Sequence, residues 1–123
     1  MYPSSVEAYR QQAVGTASPA QLVLMCYDGV LAAVTRARQG NIETRNTELQ
    51  RAQAILAELS ATLDADRGGD IASSLASLYA YCTNLLVTAN VRADLSLLDE
   101  VESIVAELRD AWEQACCGAL VAG

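Results

Sequence analysis

The 123-residue chain is predicted to be all-α: an antiparallel up-down-up-down four-helix bundle with an N-terminal leader segment. Three observations predict it. Hydrophobic residues make up 52% of the chain, and Ala and Leu, both strong helix formers, dominate them. Both prolines, Pro3 and Pro19, lie near the front, so nothing interrupts a helix downstream. Strong breaks fall only at Gly40-Asn41 and Arg67-Gly68-Gly69-Asp70, with a weaker one at 90–94, dividing the chain into long segments of helical periodicity.

The leader, residues 1–17, has few large apolar side chains: Tyr2, Val6, Tyr9 and Val14. Ser4 and Glu7 suit a capping box for a short helix ending at Gly15-Thr16-Ala17. Such a helix is marginal alone and is expected to lie on something else. The first bundle helix has a strong start: Ser18 as N-cap, Pro19 at the first helical position and Gln21 completing a capping box. It is expected to run to Gln39, with Gly40 as a left-handed C-cap and Arg36 and Arg38 placed to suit the dipole. Its run Leu22-Val23-Leu24-Met25-Cys26-Tyr27 is apolar all round, so more than one side of the helix needs covering.

The second helix is expected over 42–63, with a seam of Leu49, Ala52, Leu56, Leu59 and Leu63. The third is expected from Asp70 as N-cap, with a seam of Ile71, Leu75, Leu78, Cys82, Leu85 and Ala89. The fourth is expected from Asp94 as N-cap, with Leu97, Val101, Ile104, Leu108 and Trp112 in the seam and Leu98 and Val105 widening it. Short joints between four helices make an antiparallel bundle. The expected organisation is a leader over 1–17, a bundle domain over 18–117 and a loose tail over 118–123.

Composition narrows the function. The net charge is -7, His and Phe are absent, and all eight basic residues are arginines scattered along the chain, without the basic stripe of a nucleic-acid binder. Anionic membrane is disfavoured for the same reason. No stretch of about 18 uninterrupted apolar residues occurs and no signal peptide is visible, which points to the cytosol. The four cysteines then read as reduced thiols, with Cys26 and Cys82 as small core residues. Without His or a C-x-x-C spacing, no metal site is expected, and no cofactor. Glycines 68 and 69 lack the Gly-Lys-Ser/Thr sequel of a phosphate loop. No nucleophile–base pair can be assembled, so no catalytic site is expected. Asp28 is expected to cap or to pair locally, an arginine being one candidate partner. The acids at 94–113 (Asp94, Asp99, Glu100, Glu102, Glu107, Asp110, Glu113) read as a solvated face or as a docking face for a basic partner.

The run Thr16-Ala17-Ser18-Pro19-Ala20-Gln21-Leu22-Val23-Leu24-Met25-Cys26-Tyr27-Asp28-Gly29 resembles the signature of the flagellin-specific export chaperones, the FliS family. Two later stretches resemble the family in the same order. One is Leu63-Asp64, Gly68-Gly69-Asp70-Ile71-Ala72, Leu78-Tyr79, Tyr81 and Ala89-Asn90. The other is Leu98-Asp99-Glu100-Val101, Glu107-Leu108-Arg109-Asp110 and Trp112. Val6 and Tyr9 also fit a leader pattern. The sequence departs from the family at Ala20, Cys26, Cys82 and Ala80, the last where an acid is common. The resemblance implies a cytoplasmic helical bundle that binds the disordered C-terminal region of flagellin, keeps it unpolymerised and export-competent, and uses the leader as a displaceable cover. It also implies contacts with the export gate and, in some relatives, with an anti-sigma factor.

Capturing such a segment needs a long apolar surface, which the grooves between helices supply. The expected partner-binding residues are Val6, Tyr9, Leu24, Tyr27, Leu31, Ile55, Tyr79, Tyr81 and Leu86; plain core or rim packing is the competing reading for Leu24, Tyr27, Leu31, Tyr79 and Tyr81. Two other functions remain open from the residues: a regulatory bundle that binds an anti-sigma factor or export-gate component, and a homo-oligomer that buries the first helix against a second copy.

Overall fold

The computed structural model describes residues 18–118, apart from the side chains of 65–67, 117 and 118. The leader and its expected capping box, and residues 119–123, lie outside the described residues. Four α-helices follow one another: α1 Pro19–Gln39, α2 Ile42–Ala61, α3 Ala65–Arg92 and α4 Leu97–Glu113, the last running into a π-helical turn, Gln114–Gly118. Each helix packs on its neighbours in sequence, and α4 returns to α1 to close the ring. Asp28, early in α1, meets Arg109, late in α4, while Arg38, late in α1, meets Asp99, early in α4. Those two helices therefore run antiparallel.

Local chemistry explains most helix ends. Ser18 Oγ accepts from the Gln21 amide at 3.2 Å and Gln21 Oε1 accepts from the Ser18 amide at 2.9 Å, the reciprocal capping box that the sequence predicts. Asn41 caps α2, its Oδ1 accepting from the Thr44 amide at 2.8 Å. Gly40, however, is extended at φ -93 and ψ 173, not left-handed. The joint is two residues long, and Asn41 must already stand as the extended cap of the next helix, so the chain has no room for a left-handed closing turn.

The third helix starts earlier than its expected cap. A first turn begins at Ala65 and is broken at Gly69, whose φ of 52 and ψ of -126 suit only glycine. The main body of α3 follows from Asp70. Its end is a Schellman closure: the Asp94 amide donates to the Ala89 carbonyl at 3.0 Å and the Ala93 amide to the Asn90 carbonyl at 3.4 Å, with Ala93 left-handed at φ 54. Asp94 thus belongs to this closure and to a turn, where its Oδ1 accepts from the Ser96 amide at 3.1 Å and the Ser96 hydroxyl at 2.5 Å. The cap position of α4 falls to Ser96, which makes no side-chain capping bond.

The core is built from Tyr27, Val30, Ala33, Val34 and Ala37 of α1, Leu49, Ala52, Leu56 and Leu59 of α2, Tyr79, Cys82, Leu86 and Ala89 of α3, and Leu98, Val101 and Val105 of α4. The α2 seam is as the spacing predicts, with Leu63 half-buried. The other two seams are kept in part, at Cys82 and Ala89 of α3 and Val101 of α4, and otherwise turned by about one residue. Ile71 is 73% exposed while Ala72 is buried, and Leu98 and Val105 are fully buried while Leu97, Ile104, Leu108 and Trp112 pack at the margin. On α3 several faces are apolar, so periodicity does not decide which of them points inward.

By length and composition alone, Pro19–Gln39 and Gly68–Arg92 are apolar enough to cross a membrane, with a mean hydropathy of 1.2 over their most apolar windows. In the bundle only part of each is buried. These two helices therefore carry more apolar surface than the four-helix core consumes.

Candidate partner-binding site

Part of that surplus lines an opening at one end of the bundle, while Val87 and Val91 lie exposed toward the other end of α3. The first turns of α1 and α3 and the last turns of α2 and α4 border an apolar cavity of about 610 Å³. Leu22, Val23 and Cys26 line it from α1, Leu59 and Leu63 from α2 and its joint, and Ile71, Ala72, Leu75 and Tyr79 from α3. Buried α1 positions begin only at Tyr27; of the all-apolar run before it, Leu22, Val23 and Cys26 border the opening instead. Ser18 and Pro19 stand at the same end, so the leader joins the bundle beside the cavity.

Two hydrogen bonds brace the helices around the cavity. The hydroxyls of Tyr27 on α1 and Tyr79 on α3 lie 2.6 Å apart, with ring centroids 6.4 Å apart and the planes tilted by 52°. At the opposite wall Trp112 Nε1 donates to the Ala20 carbonyl at 2.9 Å, fixing the start of α1 to the end of α4. The α1–α4 seam is charged outside this point. Arg109 binds Asp28 through Nε and Glu113 through Nη1, and Arg38 donates to Asp99 at 2.7 Å and Glu102 at 3.2 Å. Asp28 thus pairs with an arginine from the far end of the sequence. Burial pushes the Tyr27 and Tyr79 phenols above their ordinary range, and it pushes the Cys82 thiol up to about 11.

The expected partner-binding residues divide sharply. Val6 and Tyr9 lie outside the described residues. Tyr27, Tyr79 and Leu86 are 1%, 2% and 0% exposed: they are core side chains. Tyr79 and Leu86 sit there because the buried face of α3 keeps Cys82 and Ala89 of the expected seam but takes Ala72, Tyr79 and Leu86 in place of Ile71, Leu78 and Leu85. Of the whole set only Tyr79 lines the cavity. Leu24, Leu31 and Ile55 are half-buried, with Ile55 in close contact with Gly29 across α1 and α2. Tyr81 is 43% exposed and donates to Glu100 at 2.7 Å. The sequence reading missed Leu22, Val23, Leu63, Ile71 and Leu75 as a set. Their signal was present: each lies near a helix end or the Gly69 break, where a bundle's apolar layers run out of partners.

Such a geometry defines a class, a helical bundle with an apolar receptacle at one end, suited to holding a segment of another chain or of its own. The model of the family described as "Flagellar protein FliS" matches residues 2–119, and the chain belongs to that family. It is similar to the flagellar secretion chaperone FliS of Bacillus subtilis (strain 168), 40% identical over 88% of this chain and 83% of the relative. The corresponding protein of Salmonella typhimurium is 39% identical over 93% of this chain and 92% of the relative. That of Escherichia coli (strain K12) is 35% identical over 89% and 87%.

Proposed function

We propose that this chain is a cytoplasmic export chaperone for flagellin, binding the disordered C-terminal region of the client, preventing its premature polymerisation and handing it to the flagellar secretion machinery. The observation that carries the reading is the apolar cavity bounded by the front half of α1 and the start of α3, in a chain of this family. A segment that must stay unpolymerised has to have its own apolar contacts occupied. Apolar walls without a competing polar lattice do that while tolerating sequence variation in the client.

In this reading the leader, residues 1–17, covers the apolar end in the absence of client, through Tyr2, Val6, Tyr9 and Val14, and the client displaces it. Leu24, Leu31, Ile55 and Tyr81 extend the contact along the bundle surface. Ordering the client costs on the order of 2–5 kcal/mol of the gross contact energy, which keeps the complex releasable at the point of export.

Calorimetric titration with a peptide from the C-terminal end of flagellin from the same organism tests this. Binding near one-to-one with a large negative heat-capacity change supports it. Absence of heat at high protein concentration rejects flagellin as the client.

A further inference from the structure

The inner face of α2 ends in an arginine. Leu49, Ala52, Leu56 and Leu59 are buried along it, and the same spacing carried one turn back from Leu49 reaches Arg45. Arg45 stands about 20 Å along α2 from Leu59, at the end of the bundle opposite the cavity. It is half-buried, and its Nε is buried without a hydrogen-bond partner. A buried unmet donor is rare in a folded chain, and this one belongs to a cation near the start of a helix, where the dipole already places positive charge. The chain has 15 acidic residues, yet no described one pairs with Arg45. Glu48, one turn on, is held by Arg36 at 3.1 Å and Arg51 at 3.7 Å. Asp99 and Glu102 are held by Arg38, and Asp94 accepts from Ser96. Glu43, two residues before Arg45, lies on the other side of the helix. The surroundings are apolar and exposed. Asn90 donates to Asn46 at 2.7 Å, setting the start of α2 against the end of α3. Ile42, three residues before Arg45, is 73% exposed, and Val91, next to Asn90, is 79% exposed.

We infer that this end of the bundle is a second docking surface, for a segment of a partner protein that presents a carboxylate between apolar side chains, with Arg45 as the residue that binds the carboxylate. An unpaired arginine at a position where the rest of α2 places apolar residues breaks the local pattern, as expected where a partner supplies what the chain lacks. The guanidinium fork matches a carboxylate, and Ile42 and Val91 offer contacts to its apolar neighbours. One unpaired arginine in a chain of net charge -7 suits a single carboxylate and not the polyanion of a nucleic acid or membrane. The inference does not rest on the export-chaperone reading, because Arg45 and the cavity lie at opposite ends and are tested separately.

The test follows the Arg45 Nε–H signal by NMR of the full chain, assigned by its loss in Arg45→Gln. Two capped synthetic peptides are titrated, identical except that an aspartate between two leucines in one is asparagine in the other. The aspartate peptide is expected to shift the signal and to bind roughly three- to tenfold more tightly than the asparagine peptide, with a smaller preference in high salt. Arg45→Gln is expected to abolish the preference, and Ile42→Ser/Val91→Ser to weaken both peptides alike; circular dichroism checks that the variants fold. A flagellin C-terminal peptide is expected to bind Arg45→Gln as it binds the wild-type chain. Equal affinity of the two synthetic peptides, failure of both to bind at millimolar concentration, or a preference that survives Arg45→Gln overturns the inference and leaves the chaperone reading standing. A signal moved as far by inorganic phosphate as by the aspartate peptide shows a general anion contact, and the inference falls. It also falls if Glu7→Gln moves the signal without any peptide, since the occupant is then the chain's own leader, or if dilution moves it, since the occupant is then a second copy. Loss of the flagellin peptide in Arg45→Gln makes this end part of the client's surface and overturns a separate site. A flagellin peptide that fails to bind the wild-type chain while the aspartate preference holds removes the chaperone reading alone and supports the inference.

Discussion

Tyr27 and Tyr79 share a hydrogen bond of 2.6 Å between their hydroxyls, joining α1 to α3 across the diagonal of the bundle. The closely packed pairs of helices are all neighbours in the ring, so this bond ties together two that are not. Either phenylalanine variant keeps the ring contact at 6.4 Å but leaves one buried hydroxyl without its partner. That costs about 1–3 kcal/mol. Removing both hydroxyls leaves no orphan. Urea unfolding of Tyr27→Phe, Tyr79→Phe and the double variant is expected to show the double loss well below the sum of the singles. Additive losses would mean that each hydroxyl is separately satisfied in solution.

The same burial makes the bundle sensitive to alkali. Burial raises the Cys82 thiol from 9.0 to about 11, and Tyr27 and Tyr79 rise above their ordinary 10.0 for the same cause. Below the unfolded values all three are protonated in both states and stability does not vary with them. As the pH climbs past 9.0 and then 10.0, the unfolded chain loses these protons first, and the equilibrium moves toward it. Each group contributes a slope of up to about 1.4 kcal/mol per pH unit. Stability from chemical denaturation is therefore expected to fall above about pH 9, and Cys82→Ala is expected to remove the first part of that fall at some cost in packing at neutral pH. A flat profile up to about pH 11 would contradict the burial of these groups.

Two backbone positions have opposite expected signs. Ala93 closes α3 in a left-handed conformation at φ 54, which costs an L side chain about 1–2 kcal/mol, and its methyl is exposed. Ala93→Gly is expected to stabilise by about 0.5–1 kcal/mol, the relief being reduced by the entropy of glycine in the unfolded chain. Gly69, at φ 52 with nothing within 4 Å of where a methyl would stand, has space but not conformation: Gly69→Ala is expected to destabilise by about 1–3 kcal/mol. Thermal unfolding reads both.

The parts of this fold legible in the sequence are those written by short-range chemistry. Ser18, Pro19 and Gln21 announce the start of α1 because all the atoms of that cap lie within four residues. Leu49, Ala52, Leu56 and Leu59 fix the inner face of α2 because the rest of that helix is largely polar. The inner face of α3 was not legible, since Ile71, Leu78, Tyr79, Leu85 and Leu86 make several of its faces apolar, and the choice is made by the neighbours. For the same reason Tyr79 and Leu86 read as flanking residues and are core. The cavity was half visible: the all-apolar run at 22–27 demanded a cover, but that α3 and the end of α2 share the opening depends on how the helix ends line up. Family membership was legible because the motif from Thr16 to Gly29 combines a cap and an apolar run ending in Tyr27-Asp28-Gly29 in one continuous stretch.

The leader's proposed role makes the sharpest demand on the protein. If residues 1–17 sit over the apolar end in competition with the client, binding is weakened by the fraction of chains whose cavity is uncovered. Deleting residues 1–14 keeps the Ser18–Gln21 capping box and the α1 start intact. It is expected to raise affinity for the flagellin C-terminal peptide by roughly ten- to a hundredfold, the gain from removing a cover that leaves only about a tenth to a hundredth of the chains open. Trp112 provides the readout. It is the chain's one tryptophan, it lines the cavity and its indole is tied to the Ala20 carbonyl, so its emission should move to the red on deletion, as water reaches the opening, and return on adding peptide. A rise in affinity with that spectral cycle supports competition. A collapse of affinity means that Val6, Tyr9 and their neighbours hold the client directly, and the leader is then part of the binding surface.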